Sequence, residues 1–345
     1  GCRLRAVQLA AEDAGLLFPL SLASEGSCTI GGNLATNAGG TQVLRYGNAR
    51  ELCLGLEVVT AHGEVWNGLG GLRKDNTGYD LRDLYIGTEF VNDRQRIDAG
   101  LAACATIEDC VRLLALAGRH LGPALTGFEL MGRAALALVE HHFPNLPRPL
   151  PPAPWTVLLE QADHDGEAHA RAQLESLLAA AQAEALVTDA VLATTVAQSR
   201  ALWQLRESIP LAEAAQGHNV KHDIALPVSA IARFVDATGR ALQAAFPGVR
   251  VVNFGHLGDG NLHYNVQAPP GADPGAFLHA HEAAISRLVH DAVAALDGSI
   301  SAEHGIGALK RGELARYEGA VALDLMHAIK RALDPRGLMN PGRVL

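Results

Sequence analysis

The chain has 345 residues, and its 28 Lys and Arg against 37 Asp and Glu give a formal net charge of −9. This length allows two domains with a sizeable core, whereas the negative charge, without a basic patch, argues against a nucleic-acid partner. No apolar run approaches the roughly 20 residues that a transmembrane segment needs, and residues 1–5 lack the plan of a secretory signal.

Five cysteines lie in the first third of the chain, and no two of them form a C-x-x-C pair. They are Cys2, Cys28, Cys53, Cys104 and Cys110. An odd number without paired spacing is not typical of a disulfide framework. We therefore expect reduced thiols and a cytoplasmic protein.

The first part of the chain is rich in glycine and turns. A helix is expected at residues 3–15, and residues 27–40 then hold four glycines, two asparagines and two threonines. Such a run presents backbone N–H groups with little bulk, which suits a phosphate or a flat ring lying on the main chain. Its spacing fits neither the Walker nor the Rossmann motif. Residues 52–60 and 64–66 predict a hairpin and residues 72–80 a polar loop; the alternative is a turn-rich β-domain without a ligand.

The middle of the chain alternates helical and strand-like segments. Helices are expected at residues 101–141, 165–188, 191–216, 228–246 and 275–297, and strands at residues 155–161 and 219–227. Pro210 is expected to bend or interrupt the third helix, and the second strand displays Lys221 and Asp223 on one face. The alternation favours an α+β domain with helices on one face of an antiparallel sheet.

Residues 250–267 contain two β-like stretches separated by an Asp-Gly pair, Asp259-Gly260. This pair is the strongest short-range signal for a two-residue hairpin turn. With that turn, His256 lies directly opposite His263, and Asn265 joins them on the same face. Two imidazoles held in this way can share a metal ion. The alternative is a pair of surface histidines beside an ordinary turn.

A second segment, residues 299–307, carries Glu303 and His304 among glycines. Together His256, His263 and Glu303 form a His₂-carboxylate set with open coordination positions, suited to Zn²⁺ but also to Mn²⁺ or Fe²⁺. His304 cannot easily share the same ion from the adjacent position, which leaves it free to act as a base. A helix-capping Glu beside a hydrogen-bonded His is the alternative.

Six segments carry a resemblance to a known family. They are residues 28–40, 72–80, 220–227, 255–265, 301–307 and 333–342. In this order the sequence resembles the FAD-linked oxidase superfamily of the vanillyl-alcohol oxidase type. The resemblance is to the D-2-hydroxyacid dehydrogenase branch, which includes D-2-hydroxyglutarate and D-lactate dehydrogenases and the glycolate oxidase flavin subunit. It implies part of an FAD-binding domain at residues 1–89, a cap domain at residues 101–330, and a segment at residues 331–345 that returns to the FAD domain.

The resemblance also implies roles for individual residues. The flavin is expected against Ile30, Gly31, Gly32, Asn33, Thr36, Asn37, Gly39, Gly40, Arg45, Tyr46, Gly47 and Asn340. The metal, usually zinc in this family, is expected on His256, His263 and Glu303. Arg206, Lys221 and Asn265 match contacts to the substrate carboxylates, and His304 matches the catalytic base. Where the family has a hydroxyl group four residues past Arg206 this chain has Pro210, and Ser208 is the nearby hydroxyl that would compensate.

The implied activity is oxidation of a small D-2-hydroxy acid to the 2-oxo acid, with FAD as hydride acceptor and a divalent metal as Lewis acid. D-2-Hydroxyglutarate, D-lactate and D-malate fit this chemistry, and an electron-transfer flavoprotein, a quinone or a cytochrome would accept the electrons. By the same resemblance the chain lacks the N-terminal FAD lobe of the family, and residues 90–100 form an atypical seam. The competing hypotheses are a flavin-free metal- and carboxylate-binding remnant or partner subunit, and a related flavoenzyme acting on an alcohol or lipid ether.

Overall fold

The computed structural model describes residues 1–22, 24–60, 62–69, 81–86, 96–163 and 167–345. Its helices are Leu4–Asp13 (α1), Ile30–Ala35 (α2), Val43–Tyr46 (α3), Ile107–Leu121 (α4), Arg133–His142 (α5), Glu167–Ala183 (α6), Val196–Gln216 (α7), Ile231–Ala245 (α8), Pro274–Ala294 (α9), Arg311–Tyr317 (α10) and Ala320–Leu333 (α11). Its strands are Leu56–Val59 (β1), Val65–Gly68 (β2), Arg96–Cys104 (β3), Leu125–Gly132 (β4), Trp155–Asp163 (β5), Asp189–Leu192 (β6), Asn219–Val220 (β7), Asp223–Ala225 (β8), Arg250–His256 (β9) and Asn261–Gln267 (β10). The predicted polar loop at residues 72–80 lies outside the described residues.

The chain forms two compact units. One, which we call the terminal unit, comprises Gly1–Gly40, Tyr46–Asp93 and Glu303–Leu345. The other, the sheet unit, comprises Thr41–Arg45 and Arg94–Ala302. The C-terminal part of the terminal unit begins at Glu303.

The terminal unit has its own small core around α1. Leu4 and Ala11 of this helix pack with residues of the following segments, which are Phe18, Leu20, Ala49 and Leu52. The helix predicted at residues 3–15 is confirmed, and so is the hairpin, in which β1 and β2 pair antiparallel. The first strand is shorter than predicted, whereas the second begins and ends later than the predicted residues 64–66.

Near its C-terminus the terminal unit is closed by hydrogen bonds to one carboxylate. Asp334 accepts the backbone N–H groups of Leu338 and Met339 and the Lys330 ammonium. The segment after α11 therefore turns sharply, and Asn340 adopts a left-handed conformation with φ of 46°. Short polar side chains such as Asn tolerate this region better than most residues.

The sheet unit is built on an antiparallel sheet with strand order β6-β3-β5-β4-β9-β10-β7, and β8 also pairs with β10. Strands β3 and β4 overlap the segment predicted to be helical at residues 101–141, so this prediction is wrong in part. Every residue of β4 is buried. A strand buried on both faces lacks the alternation that distinguishes it from a helix in the sequence.

Helices cover both faces of this sheet, so the predicted single covered face is wrong. On one face, α5 and α7 pack on a cluster that includes Met131, Leu158 and Phe254. Residues of the opposite parity, such as Leu130 and Val157, are also fully buried. Helices α4, α6, α8 and α9 contact one another in the order α6, α4, α8, α9 and provide the second layer.

Helix α7 continues through Pro210, so the predicted interruption is wrong. A proline inside a helix removes one backbone hydrogen bond and crowds the preceding turn. Here Leu205, Ile209 and Ala212 anchor the helix in the core on both sides of it. Ser208 follows Arg206 by two residues, about 200° around the helix. It therefore does not replace the missing hydroxyl on the Arg206 face.

The hairpin between β9 and β10 differs in register from the prediction. His263 pairs with Phe254 rather than with His256, and a four-residue loop, Leu257 to Gly260, joins the strands. The loop is a short 3₁₀ turn that ends at Gly260, whose φ is +83°. An Asp-Gly pair also suits the end of such a turn, because its glycine supplies the positive φ.

We expect Gly260→Ala to lower the free energy of unfolding by more than the roughly 1 kcal/mol that a positive φ alone costs. A Cβ at this position would lie 2.1 Å from the Leu226 carbonyl oxygen. Gly271 is the matched control, because its φ is +84° and a Cβ there would meet no atom within 4 Å beyond its chain neighbours. Urea unfolding of both variants measures the difference, and equal losses would contradict the close contact.

Candidate functional site

His256 and His263 lie on the same face of the β9–β10 hairpin, as predicted, although they are not directly opposed. The register places them diagonally across the two strands. Their ring centroids are 6.0 Å apart with the ring planes at 72°. The His263 ring also lies 4.8 Å from the ring of Phe254, which fixes its position against the core.

Glu129 holds His256 from the neighbouring strand. It lies in β4 directly opposite His256, and only 1% of its surface is exposed. Its Oε1 is 2.6 Å from His256 Nδ1. Burial raises the pKa of Glu129, but its interactions with His256 and Arg206 outweigh this effect and lower it. The carboxylate therefore accepts a hydrogen bond from Nδ1–H and leaves Nε2 of His256 as the nitrogen able to bind a metal.

Arg206 shares the same carboxylate. Its Nε donates to Glu129 Oε2 at 2.8 Å, and its side chain is almost fully buried. The guanidinium carbon lies 5.0 Å above the ring of Phe254. The paired carboxylate compensates the charge of this buried guanidinium.

Glu303 follows a residue that is bound to the strand next to the histidines. Asp223 of β8 pairs with His263, and its backbone oxygen accepts the N–H of Ala302 at 3.1 Å. Glu303 is the next residue along the chain. One potential ligand atom from each of His256, His263 and Glu303 lies within 4.8 Å of the others. Two imidazoles and one carboxylate at this spacing suit a divalent cation with open coordination positions.

The second carboxyl-binding group expected from the sequence, Asn265, is held by a residue that the sequence analysis missed. Its side-chain N–H₂ donates to both oxygens of Glu213 at 3.1 and 2.9 Å, and its oxygen accepts the N–H of His222. Burial raises the pKa of Glu213 to about 7, although the bond from Asn265 and the charge of Lys221 act against it. Lys221 itself is exposed, in the gap between β7 and β8.

The predicted strand at residues 219–227 is therefore two short strands. Lys221 and His222 separate β7 from β8, and both strands pair with β10. The gap lets the His222 N–H reach Asn265 instead of a ladder partner. Asp223 faces His263, with Oδ1 3.8 Å from its Nδ1.

The predicted flavin segment is more regular than the open loop that its composition suggests. Six of its residues form α2, because Thr29 caps the helix and the side chains of Ile30 and Leu34 pack against the terminal core. Beyond the helix Asn37 adopts φ of 49° and accepts the N–H of Arg50. The remaining predicted contacts of this segment within the terminal unit are Gly31, Gly32, Asn33, Thr36, Gly39, Gly40, Tyr46 and Gly47.

The other predicted flavin and base residues lie in three places. Arg45 belongs to the sheet unit, where its Nη1 donates to the Ala162 carbonyl oxygen at 3.0 Å. The backbone N–H of Gly40 donates to Glu303 at 3.4 Å. His304 is exposed immediately after Glu303, and Asn340 is exposed after α11.

Glu129 could have been noticed from the sequence, whereas Glu213 could not. Glu129 is the only charged residue in the apolar stretch from Leu125 to Gly132, which is a signal once that stretch is assigned as a buried strand. Glu213 lies within a helix that alternates charged and apolar residues, so nothing in its neighbourhood distinguishes it. The burial that gives it a role depends on tertiary packing.

Two family models match this chain. The description "FAD linked oxidases, C-terminal domain" covers residues 94–344, and "FAD binding domain" covers residues 1–68. The C-terminal-domain model begins at residue 94, within the predicted seam at residues 90–100. Of that seam, residues 90–95 lie outside the described part of the chain, and residues 96–100 begin β3. Among the described residues no helix combines the length and apolar character needed to cross a bilayer.

Curated relatives share over a third of their aligned residues with this chain. The mitochondrial D-2-hydroxyglutarate dehydrogenases of Arabidopsis thaliana and Bos taurus are 37% and 38% identical over the whole chain, which spans 62% and 64% of their length. The D-2-hydroxyglutarate dehydrogenase of Xanthomonas citri pv. viticola is 38% identical, and the chain spans 74% of it. The chain thus spans less than two thirds of the first two relatives.

Solved structures of low sequence identity share the fold. A p-cresol methylhydroxylase with bound substrate matches 99% of this chain and 73% of its own, with a TM-score of 0.70 at 15% identity. A 4-ethylphenol oxidase from Gulosibacter chungangensis matches all of this chain and 75% of its own, again with a TM-score of 0.70 and 15% identity. Both support the vanillyl-alcohol oxidase type of α+β architecture.

Proposed function

Because this chain belongs to the FAD-linked oxidase family, we propose that it acts in a flavin-dependent dehydrogenase that oxidises a small D-2-hydroxy acid to the 2-oxo acid. The observation that carries this proposal is the convergence of His256, His263 and Glu303 beside a buried arginine. A hydroxyl and a carboxylate on adjacent carbons are the groups that such a set, with a divalent cation, is suited to bind. The names of the relatives favour D-2-hydroxyglutarate, ahead of D-lactate and D-malate.

The cofactors in this proposal are FAD and a divalent metal, for which zinc is a better match than a harder ion because two of three ligands are imidazoles. The metal would be held by His256, His263 and Glu303, and FAD by the α2 segment, Arg45, Tyr46, Gly47 and Asn340. When bound, the metal would supply Lewis acidity and the flavin a hydride acceptor.

The protein's own side chains would bind the substrate and move its proton. His304, next to Glu303, is assigned to take the hydroxyl proton, a role worth roughly 10²–10⁴-fold in rate. Glu129 uses only Nε of Arg206, so the two terminal nitrogens of the guanidinium can donate to one substrate carboxylate. Lys221 acts as a point charge. Asn265 is assigned to the same carboxylate by the family resemblance, and its N–H₂ group would exchange Glu213 for the substrate.

A turnover screen tests the proposal. We expect the purified protein to be yellow and, with added FAD and zinc, to reduce a dye acceptor with D-2-hydroxyglutarate and not with its L-enantiomer. D-Lactate and D-malate are compared in the same screen, and omission of zinc or FAD tests each cofactor. A colourless protein that holds a divalent ion and turns over none of the acids would instead support a flavin-free metal- and carboxylate-binding subunit.

The proposal also includes an electron acceptor and a cellular compartment. Electron-transfer flavoprotein, a quinone and a cytochrome are each compatible with a reduced flavin that is reoxidised by a partner. A cytoplasmic location is supported by the five cysteines, none of which forms a disulfide. Fractionation of cells that produce the protein, with its detection in each fraction, would test this location.

A further inference from the structure

We propose that Glu129 is a positioning residue that sets His256 for the cation and Arg206 for the substrate carboxylate at the same time. This inference rests on the proposed function, since it assigns a role within that site. Neither the motifs of the sequence nor the roles implied by the family resemblance include this residue.

The geometry uses both carboxylate oxygens. Oε1 takes the Nδ1–H of His256 at 2.6 Å, and Oε2 takes the Nε–H of Arg206 at 2.8 Å. The carboxylate stands on the central strand β4, opposite His256, and is almost completely shielded from water. A ligand histidine whose second nitrogen donates to a carboxylate has a fixed tautomer and ring orientation and is a more basic ligand.

The second carboxylate oxygen of Glu129 orients Arg206. Arg206 comes from α7, so its guanidinium could adopt several rotamers over the sheet. The bond from Nε to Glu129 and the stacking on Phe254 fix its plane. Because this bond uses Nε, the two terminal nitrogens of the guanidinium are the donors that can bind a substrate carboxylate.

No shorter or neutral side chain reproduces this arrangement. Asp is one methylene shorter and, from the same backbone position, would not reach both donors. Gln offers one oxygen, so its N–H₂ group would face either the Nδ1–H of His256 or the Nε–H of Arg206. Glu129→Gln is therefore the variant that keeps the shape and breaks the double acceptance.

The test measures metal binding directly. The whole protein is stripped by chelation and titrated with Co²⁺, whose visible absorption reports on ligand geometry. We expect Glu129→Gln to weaken Co²⁺ binding by roughly 10–100-fold and to change the spectrum. Glu160→Gln is the matched control, because Glu160 is a second buried glutamate on the same sheet face and its hydrogen-bond donors, Thr126 among them, do not include His256 or Arg206.

A double variant separates positioning from charge balance. Glu129→Gln leaves the Arg206 charge without its partner, and this alone can destabilise the fold. The double variant Glu129→Gln, Arg206→Leu removes that charge. Its Co²⁺ affinity is measured in place of the single variant's if the single variant does not fold. We expect Co²⁺ binding to stay weak in the double variant. Recovery of wild-type affinity would show that Glu129 only neutralises Arg206, and would overturn the inference.

A separate binding measurement tests whether Glu129 positions Arg206. Binding of 2-oxoglutarate to the metal-free protein should weaken several-fold in Glu129→Gln and stay unchanged in Glu160→Gln. Unchanged binding in Glu129→Gln would overturn this half. Wild-type Co²⁺ affinity in Glu129→Gln would overturn the His256 half, whereas a wild-type protein that binds no Co²⁺ would overturn the cation site of the proposed function itself.

Discussion

Replacing His263 by alanine is expected to lower kcat/KM for the D-2-hydroxy acid by at least roughly 10³-fold, together with loss of the bound divalent metal. His263 is one of the three proposed ligands, and a set reduced to His256 and Glu303 would not hold a cation firmly. The lost Lewis acid would otherwise stabilise the charge of the transition state by several kcal/mol. Each loss of about 1.4 kcal/mol lowers the rate tenfold.

The effect should be specific to this histidine and separable from folding. His279 lies exposed on α9, so His279→Ala should leave both metal content and turnover unchanged. Metal content is measured by elemental analysis and turnover with a dye acceptor. A His263→Ala protein that retains wild-type turnover after chelation would show that the three side chains do not bind a catalytic metal.

A second large effect concerns the pH dependence of stability. Burial raises the pKa of Glu160 from 4.5 to about 7, and its bond from Thr126 offsets this only in part. In the unfolded chain the same carboxyl releases its proton near 4.5. Stability from Glu160 is thus complete below about pH 4.5 and is lost as the pH rises through about 7.

We expect Glu160→Gln to be more stable than the wild type above pH 7, by up to about 3 kcal/mol at roughly 1.4 kcal/mol per pKa unit. The amide keeps an oxygen for Thr126 and has no charge to bury. Urea unfolding at pH 5 and pH 8 measures the change, with Glu175→Gln on the exposed face of α6 as the control.

Glu213 is a second carboxyl whose stability contribution changes over the same pH range. Its pKa is also raised to about 7 by burial, so the variant should retain one such loss of stability over the same pH range. The slope of unfolding free energy against pH should therefore fall in Glu160→Gln without vanishing. An unchanged slope would mean that Glu160 is ionised in the folded protein.

Side chains that carry chemistry can be predicted from the sequence more completely than the strands that hold them. His256, His263 and Glu303 form a predicted group because imidazoles and a carboxylate among glycines are typical of a site, and one potential ligand atom of each lies within 4.8 Å of the others. The predicted register of the hairpin is wrong, since an Asp-Gly pair suits both a two-residue turn and the end of a longer loop.

The strands β3 and β4 and the contacts of Glu129 cannot be predicted in the same way. Residues buried on both faces show no alternation, and short apolar runs do not distinguish strand from helix. The role of Glu129 depends on which strand lies beside β9, a non-local pairing that the sequence does not display. The uninterrupted α7 likewise reflects packing that outweighs the local preference of Pro210.

The division of the outermost strand into β7 and β8 has a consequence for self-association. A long, straight outer strand presents unpaired N–H and C=O groups that can recruit a strand from another molecule and start aggregation. Here that boundary consists of a two-residue and a three-residue piece, with the exposed Lys221 between them, and the outer side of β8 is hydrogen-bonded to Ser299 and Ala302. The same interruption that frees His222 to hold Asn265 thus also makes this margin of the sheet a poor template for intermolecular pairing.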